Sequence, residues 1–169
     1  LTPYAQWAKD HAIHHATSGR LDKRGYGDIE TLTVEEYLSL GSFGRFKYRF
    51  YRNPVVLLVL GPLWLVVKQR VHTPGSAGRR EVLGVHLTNA TVLLALAVAS
   101  LLIGPRAVAA IYAPTVFFAA AAGIWLFYVQ HQYERTYWAS GADWDYTTAA
   151  IAGSAFYRLP RALDWMTGS

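Results

Sequence analysis

Two long apolar stretches dominate the hydropathy pattern, and the rest of the chain is polar and aromatic by turns. Residues 107–129 are 23 mainly apolar positions. As a helix they would reach about 34 Å at ~1.5 Å per residue, enough to cross a hydrocarbon core of ~30 Å. Residues 85–103 are apolar except for His86, Thr88, Asn89, Thr91 and Ser100, and are also long enough to span. Gly104-Pro105-Arg106 between them reads as a tight turn, so the two spans form a helical hairpin, with Pro114 expected to kink the second. A third apolar run, 54–67, is interrupted by Gly61-Pro62 and would reach only about 21 Å. It is expected to lie at the interface rather than cross. Residues 68–82 read as a basic loop containing Gly and Pro.

Local signals place further helices. Thr33-Val34-Glu35-Glu36 is a capping box, with Leu32 and Tyr37 placed as its hydrophobic staple. Between Leu40 and Arg52, Phe43, Phe46 and Phe50 interleave with Arg45, Lys47, Arg49 and Arg52, the pattern of a helix lying at lipid headgroups. Asp143 or Asp145 can cap a short helix and Pro160 can begin another. The expected fold is all-α: an integral membrane helical protein with a two-span hairpin plus interfacial and cytoplasmic helices. One domain is expected over 1–169, with 1–53 and 130–169 cytoplasmic, 54–67 interfacial, and 85–103 and 107–129 transmembrane.

Charge tests that topology. With only the hairpin crossing, fifteen Lys and Arg lie on one side and Arg106 alone on the other; if 54–67 also crossed, the split would be nine to seven. The positive-inside rule favours two spans with both polar ends in the cytoplasm. It also accounts for the net charge of +5 without nucleic acid. Charged residues are 16% of the chain, against roughly 25% in a soluble domain, which excludes a disordered or collagen-like chain. The absence of Cys excludes a disulfide framework, a zinc ribbon and a thiol nucleophile. Trp125, Phe127, Tyr128, Tyr133, Tyr137 and Trp138 crowd the exit of the second span as an aromatic belt would. The chain opens at Leu1 without Met and stops after an aromatic-rich segment, and is expected to be a fragment.

Histidine carries the candidate chemistry. In His11-Ala12-Ile13-His14-His15 the three imidazoles fall at i, i+3 and i+4, on one helix face. Neutral imidazoles gathered on one face suit Fe, Zn or Cu, and Asp10 and Asp28 are near enough in sequence to orient them. His131 follows the second span. An even number of spans returns it to the side of the cluster, where its ring is expected within about 10 Å of the others, as ligands of one two-metal site must be. Gln130, Gln132 and Glu134 are placed to orient it. His72 and His86 read as structural. HExxH, GxSxG, P-loop and GxGxxG signatures are all absent.

The constellation resembles the membrane fatty-acid desaturases. His11-Ala12-Ile13-His14-His15 matches that family's second histidine box. Thr2-Pro3-Tyr4-Ala5-Gln6-Trp7, the segments 19–28 and 31–37, Gly123 to Gln132, and Leu159 to Gly168 look like its bacterial acyl-lipid omega-6 (Δ12-type) branch. The resemblance implies a non-haem di-iron centre on the cytoplasmic face of a membrane helix bundle, in a bacterial inner membrane. His11, His14 and His15 would be ligands, and His131 would match the extra histidine after the last span. It implies a fatty acyl lipid substrate, O2, and an electron donor such as ferredoxin or a cytochrome b5-type protein. The family's first and third histidine boxes are expected upstream of Leu1 and beyond Ser169, so the fragment alone should be inactive. A related hydroxylase or carotenoid oxygenase would share the iron site, and a membrane scaffold with a chance histidine cluster would have none.

Overall fold

A computed structural model describes residues 2–25, 29–71, 77–155 and 158–167. The described residues form eight α-helices and no strand: α1 (Tyr4–Thr17), α2 (Val34–Ser39), α3 (Ser42–Tyr51), α4 (Pro54–Lys68), α5 (Arg79–Ile103), α6 (Pro105–His131), α7 (Tyr146–Ala152) and α8 (Arg161–Thr167). Short 3₁₀ turns occur at Leu21–Lys23 and Gly141–Asp143. The chain is an all-α membrane protein. Helices α5 and α6 are each long and apolar enough to cross a bilayer, and α3 with α4 passes that test only as one segment bent by 73°.

The burial pattern is that of a protein solvated by lipid. Val85 is 1% exposed and Pro62 is equally enclosed, while Leu101 is 87% and Phe118 67% exposed. A continuous coat of large apolar side chains would drive aggregation in water. In hydrocarbon it is the natural solvent-facing surface, and an α-helix satisfies most of its backbone N–H and C=O groups within itself.

The hairpin is tighter than the sequence predicts. Gly104 alone separates α5 from α6; its φ of +85° is one that a residue with a side chain rarely adopts. Pro105 starts α6, where a missing N–H costs nothing. Both helices outrun their apolar stretches. Arg79, Arg80 and Glu81, expected in a loop, are the first turn of α5 behind the N-cap Gly78. These are good helix formers, and an apolar count cannot see them. At the other end His131 is the last residue of α6 itself.

Helix α4 also departs from expectation, because Gly61-Pro62 does not break it. Asn53 caps its start by accepting from the amides of Val55 and Val56 at 2.9 and 3.4 Å. The glycine makes room for α6: a Cβ built at Gly61 would stand 3.0 Å from Ile124 Cδ1. Helix α4 therefore lies along α6, and α1 packs across α5, where Ala5 approaches Gly84.

Candidate functional site

Helix α1 presents His11, His14 and His15 beside the end of α6. The α1 helix is held there at both ends. At its start, Thr2 Oγ1 donates to Gln69 Oε1 (3.1 Å) and the Gln6 amide to the Val71 carbonyl (3.4 Å). At its end the segment after α6 clamps it. Leu21 N donates to Ala139 O (2.9 Å), Ala139 N to Gly19 O (3.0 Å), and the Trp144 indole N–H to Ser18 O (3.0 Å). Arg20 lies over the Trp144 ring. Gly19, at φ +72°, permits this approach, since a Cβ there would sit 2.6 Å from the Tyr137 carbonyl. The same segment returns to α6 through Ala155 N to Gln130 O (2.8 Å).

Four histidines come together in two pairs, the first local to α1 and the second dependent on the clamp. His11 and His15 approach within one helix, Nε2 to Nε2 at 3.0 Å. His14 meets His131 across the fold, Nε2 to Nε2 at 3.3 Å, with ring centres 4.9 Å apart. His14 is 3% exposed and packs on Phe127, whereas His15 is exposed. Trp7 stacks on His11 at 4.7 Å. Burial, then the neighbouring His15 and His14, hold the His11 imidazole below its usual pKa, which favours the neutral form a metal requires.

The donors suit a metal pairwise. Two nitrogens each ~2.0–2.1 Å from one ion, at angles of about 90–110°, stand roughly 2.8–3.4 Å apart. Both histidine pairs fall in that interval. Among the described residues no group of three or more His, Cys, Asp or Glu is arranged to hold one ion, so each pair would need further donors.

The orienting partner of His131 is one that sequence spacing does not nominate. Its Nδ1 is 3.0 Å from the carbonyl of Gly153, the residue after α7. Nδ1 donates there, which leaves the Nε2 lone pair facing His14. Gln130 is exposed and engages Ala155 through its backbone, and Glu134 is exposed on the wall of a second void shared with His131 and Arg52. Asp10 lines the main cavity beside His11. Asp28 and His72 lie outside the described residues.

That main cavity has a volume of about 570 Å³ and runs between α1, the end of α4, and α6. Leu65, Val116, Ile124 and Phe127 make much of its wall, and His11 and His14 stand at it. Its size is that of a small-molecule pocket. Gln6 Oε1 is buried in it with no hydrogen-bond partner among the described residues.

Comparison with known proteins gives the chain's family. The family model described as fatty acid desaturase matches residues 1–169, and the chain belongs to that family. It is 40% identical over 169 residues to a protein of Bacillus subtilis (strain 168) named fatty acid desaturase, covering 100% of this chain and 48% of that relative. The chain thus spans about half the relative's length. No solved structure matches.

Proposed function

We propose that this desaturase-family chain is the part of an acyl-lipid, omega-6-type enzyme that holds both the acyl chain and part of a di-iron centre. The supporting observation is the approach of His14 to His131 at 3.3 Å beside an apolar cavity. His11, His14, His15 and His131 would hold non-haem iron. When bound, iron supplies with O2 the oxidising power that an unactivated C–H bond demands and that no general base provides. The protein's own residues do the rest. The apolar wall of Leu65, Val116, Ile124 and Phe127 takes an acyl chain out of the bilayer and keeps water from it. Gly153 keeps the His131 proton on Nδ1, so that Nε2 stays available. The overall change removes one hydrogen from each of two adjacent methylenes and, with two electrons from a ferredoxin or cytochrome b5-type donor and two protons from water, would reduce O2 to two waters.

Four histidines are fewer donors than a two-metal site uses, so the 169-residue chain by itself is expected to be inactive. The test therefore uses the protein as its gene encodes it, expressed in a bacterial inner membrane. Two irons per chain and a new double bond in membrane lipid support the reading. A hydroxylated product moves it to a hydroxylase, and an iron-free protein moves it to a scaffold. The proposed topology has α5 and α6 crossing, α4 not crossing, and the histidines on the cytoplasmic face. Single cysteines report on it from outside intact cells: one at Arg106 should label and those at Lys68 and Arg135 should not. Labelling at Arg135 without labelling at Lys68 would refute the two-span arrangement.

A further inference from the structure

We propose that Arg52 is a positioning residue for His131, acting through Gln132. Arg52 caps the end of α3, at the 73° corner where the chain turns into α4. From there its side chain reaches the far end of α6, 80 residues on. Nη2 donates to Gln132 Oε1 at 2.7 Å, and Nη1 to the Glu30 carbonyl at 3.2 Å. The guanidinium also lies over Tyr48 and Tyr128, 5.8 and 5.6 Å from the ring centres. These contacts are to a neutral amide, a carbonyl and two rings, and they use the planar fork of arginine rather than its charge alone.

The site of attachment explains the purpose. Gln132 is the C-cap of α6, its N–H bonded to the Tyr128 carbonyl at 2.9 Å, and it directly follows His131. The last turn of a helix frays, because its carbonyls have no partners further along the chain. His131 sits in that turn, and its Nε2 must stay opposite His14. The Gln132 side-chain Nε2 donates to Thr31 Oγ1 at 3.2 Å, so Arg52 and Thr31 hold the cap from the α2–α4 side while Gly153 holds the ring from the α7 side. Arg52 acts on where His131 stands and takes no part in ligation.

This proposal rests on the reading of His131 as a metal ligand, and the experiment separates the two. The gene-length apo-protein in detergent is titrated with Co²⁺, a spectroscopic stand-in for Fe²⁺, and affinity is read from the visible absorption of the ligated ion. Arg52→Gln and Gln132→Ala should each weaken binding about tenfold, as loss of an outer-shell partner does. The double variant should be no weaker than either single one, since both cut the same link. Arg52→Lys should not fully restore affinity, because an ammonium lacks the planar fork that meets Gln132 and Glu30 from separate nitrogens and lies over both tyrosine rings. Wild-type affinity in both single variants beside a loss in His131→Ala overturns the positioning role and leaves the ligand reading standing. Additive losses, or full rescue by lysine, also overturn it. Wild-type affinity in His131→Ala removes the ligand reading and this proposal with it. If Arg52→Gln does not fold, Gln132→Ala against Arg52→Lys decides, with arginine kept in the first and its charge in the second.

Discussion

The two histidine pairs are built by different means. His11 and His15 are one helical turn apart, and any α-helix through that sequence brings them together. His14 and His131 are 117 residues apart, and their approach depends on the hairpin, the clamp over α1 and the carbonyl of Gly153. In the first pair His11 is half-buried and His15 exposed, while His14 of the second is buried on Phe127. A local pair tolerates change everywhere but at its own residues. A tertiary pair is exposed to change at every contact that carries it.

The sharpest way to break this contrast is to truncate one member of each pair in the gene-length protein. His14→Ala should abolish product formation and also lower the melting temperature of the iron-free protein, because it empties a buried site worth about 1–3 kcal/mol. His15→Ala should lower activity as severely, yet leave the iron-free melting temperature nearly unchanged, within the ±0.5 kcal/mol usual for surface substitutions. Equal destabilisation in the two variants would remove the distinction.

A smaller effect is expected at Gly153. A Cβ there would collide with the Ala149 carbonyl, so the backbone must shift and take the His131 acceptor with it. Gly153→Ala should weaken Co²⁺ binding about tenfold, in the range of outer-shell losses, without touching any ligand. Unchanged affinity would mean that Gly153 does not orient the ring.

The smallest effect concerns acid. Glu36, hydrogen-bonded first by Arg24 and then by the Thr33 amide, has its pKa drawn down from 4.5 to about 2. The same Arg24 holds the Thr31 carbonyl at 2.7 Å, next to the Thr31 hydroxyl that meets Gln132. A depressed carboxylate pKa stabilises the fold above the unfolded value and ceases to as pH falls through the folded one. Tyrosine and tryptophan emission of the iron-free protein should therefore change between about pH 4.5 and 2, and Glu36→Gln should remove that component. The same transition in the variant would assign it elsewhere.

The sequence made legible whatever is local. Apolar length located the hairpin, Thr33 and Glu36 form the capping box they spell, and Asp145 caps α7 by accepting from the Thr148 amide. The i, i+3, i+4 spacing placed three histidines on one side of α1. Helix ends were misjudged where charged residues extend an apolar helix, at Arg79–Glu81, and where Gly61-Pro62 serves helix packing rather than a break. Illegible altogether were partners supplied by backbone atoms, such as Gly153 O and Ser18 O, since a carbonyl leaves no trace in residue identity. Arg52 was read as one more headgroup cation, and its reach to Gln132 follows only from the corner between α3 and α4.

The one-residue turn at Gly104 has a consequence for how such a chain enters its membrane. Two helices joined with almost nothing between them have no loop to translocate. They can pass from the ribosome into lipid as a preformed antiparallel pair, in which the leading edge is a glycine, a proline and the single cation of Arg106. An arginine at a helix centre costs ~2.5–3.5 kcal/mol to insert, and here that cost falls once, in transit, with two apolar helices of favourable residues to offset it. A longer polar turn would add to the polar groups that must cross, where the proposed two-span arrangement carries across Arg106 alone among charged residues.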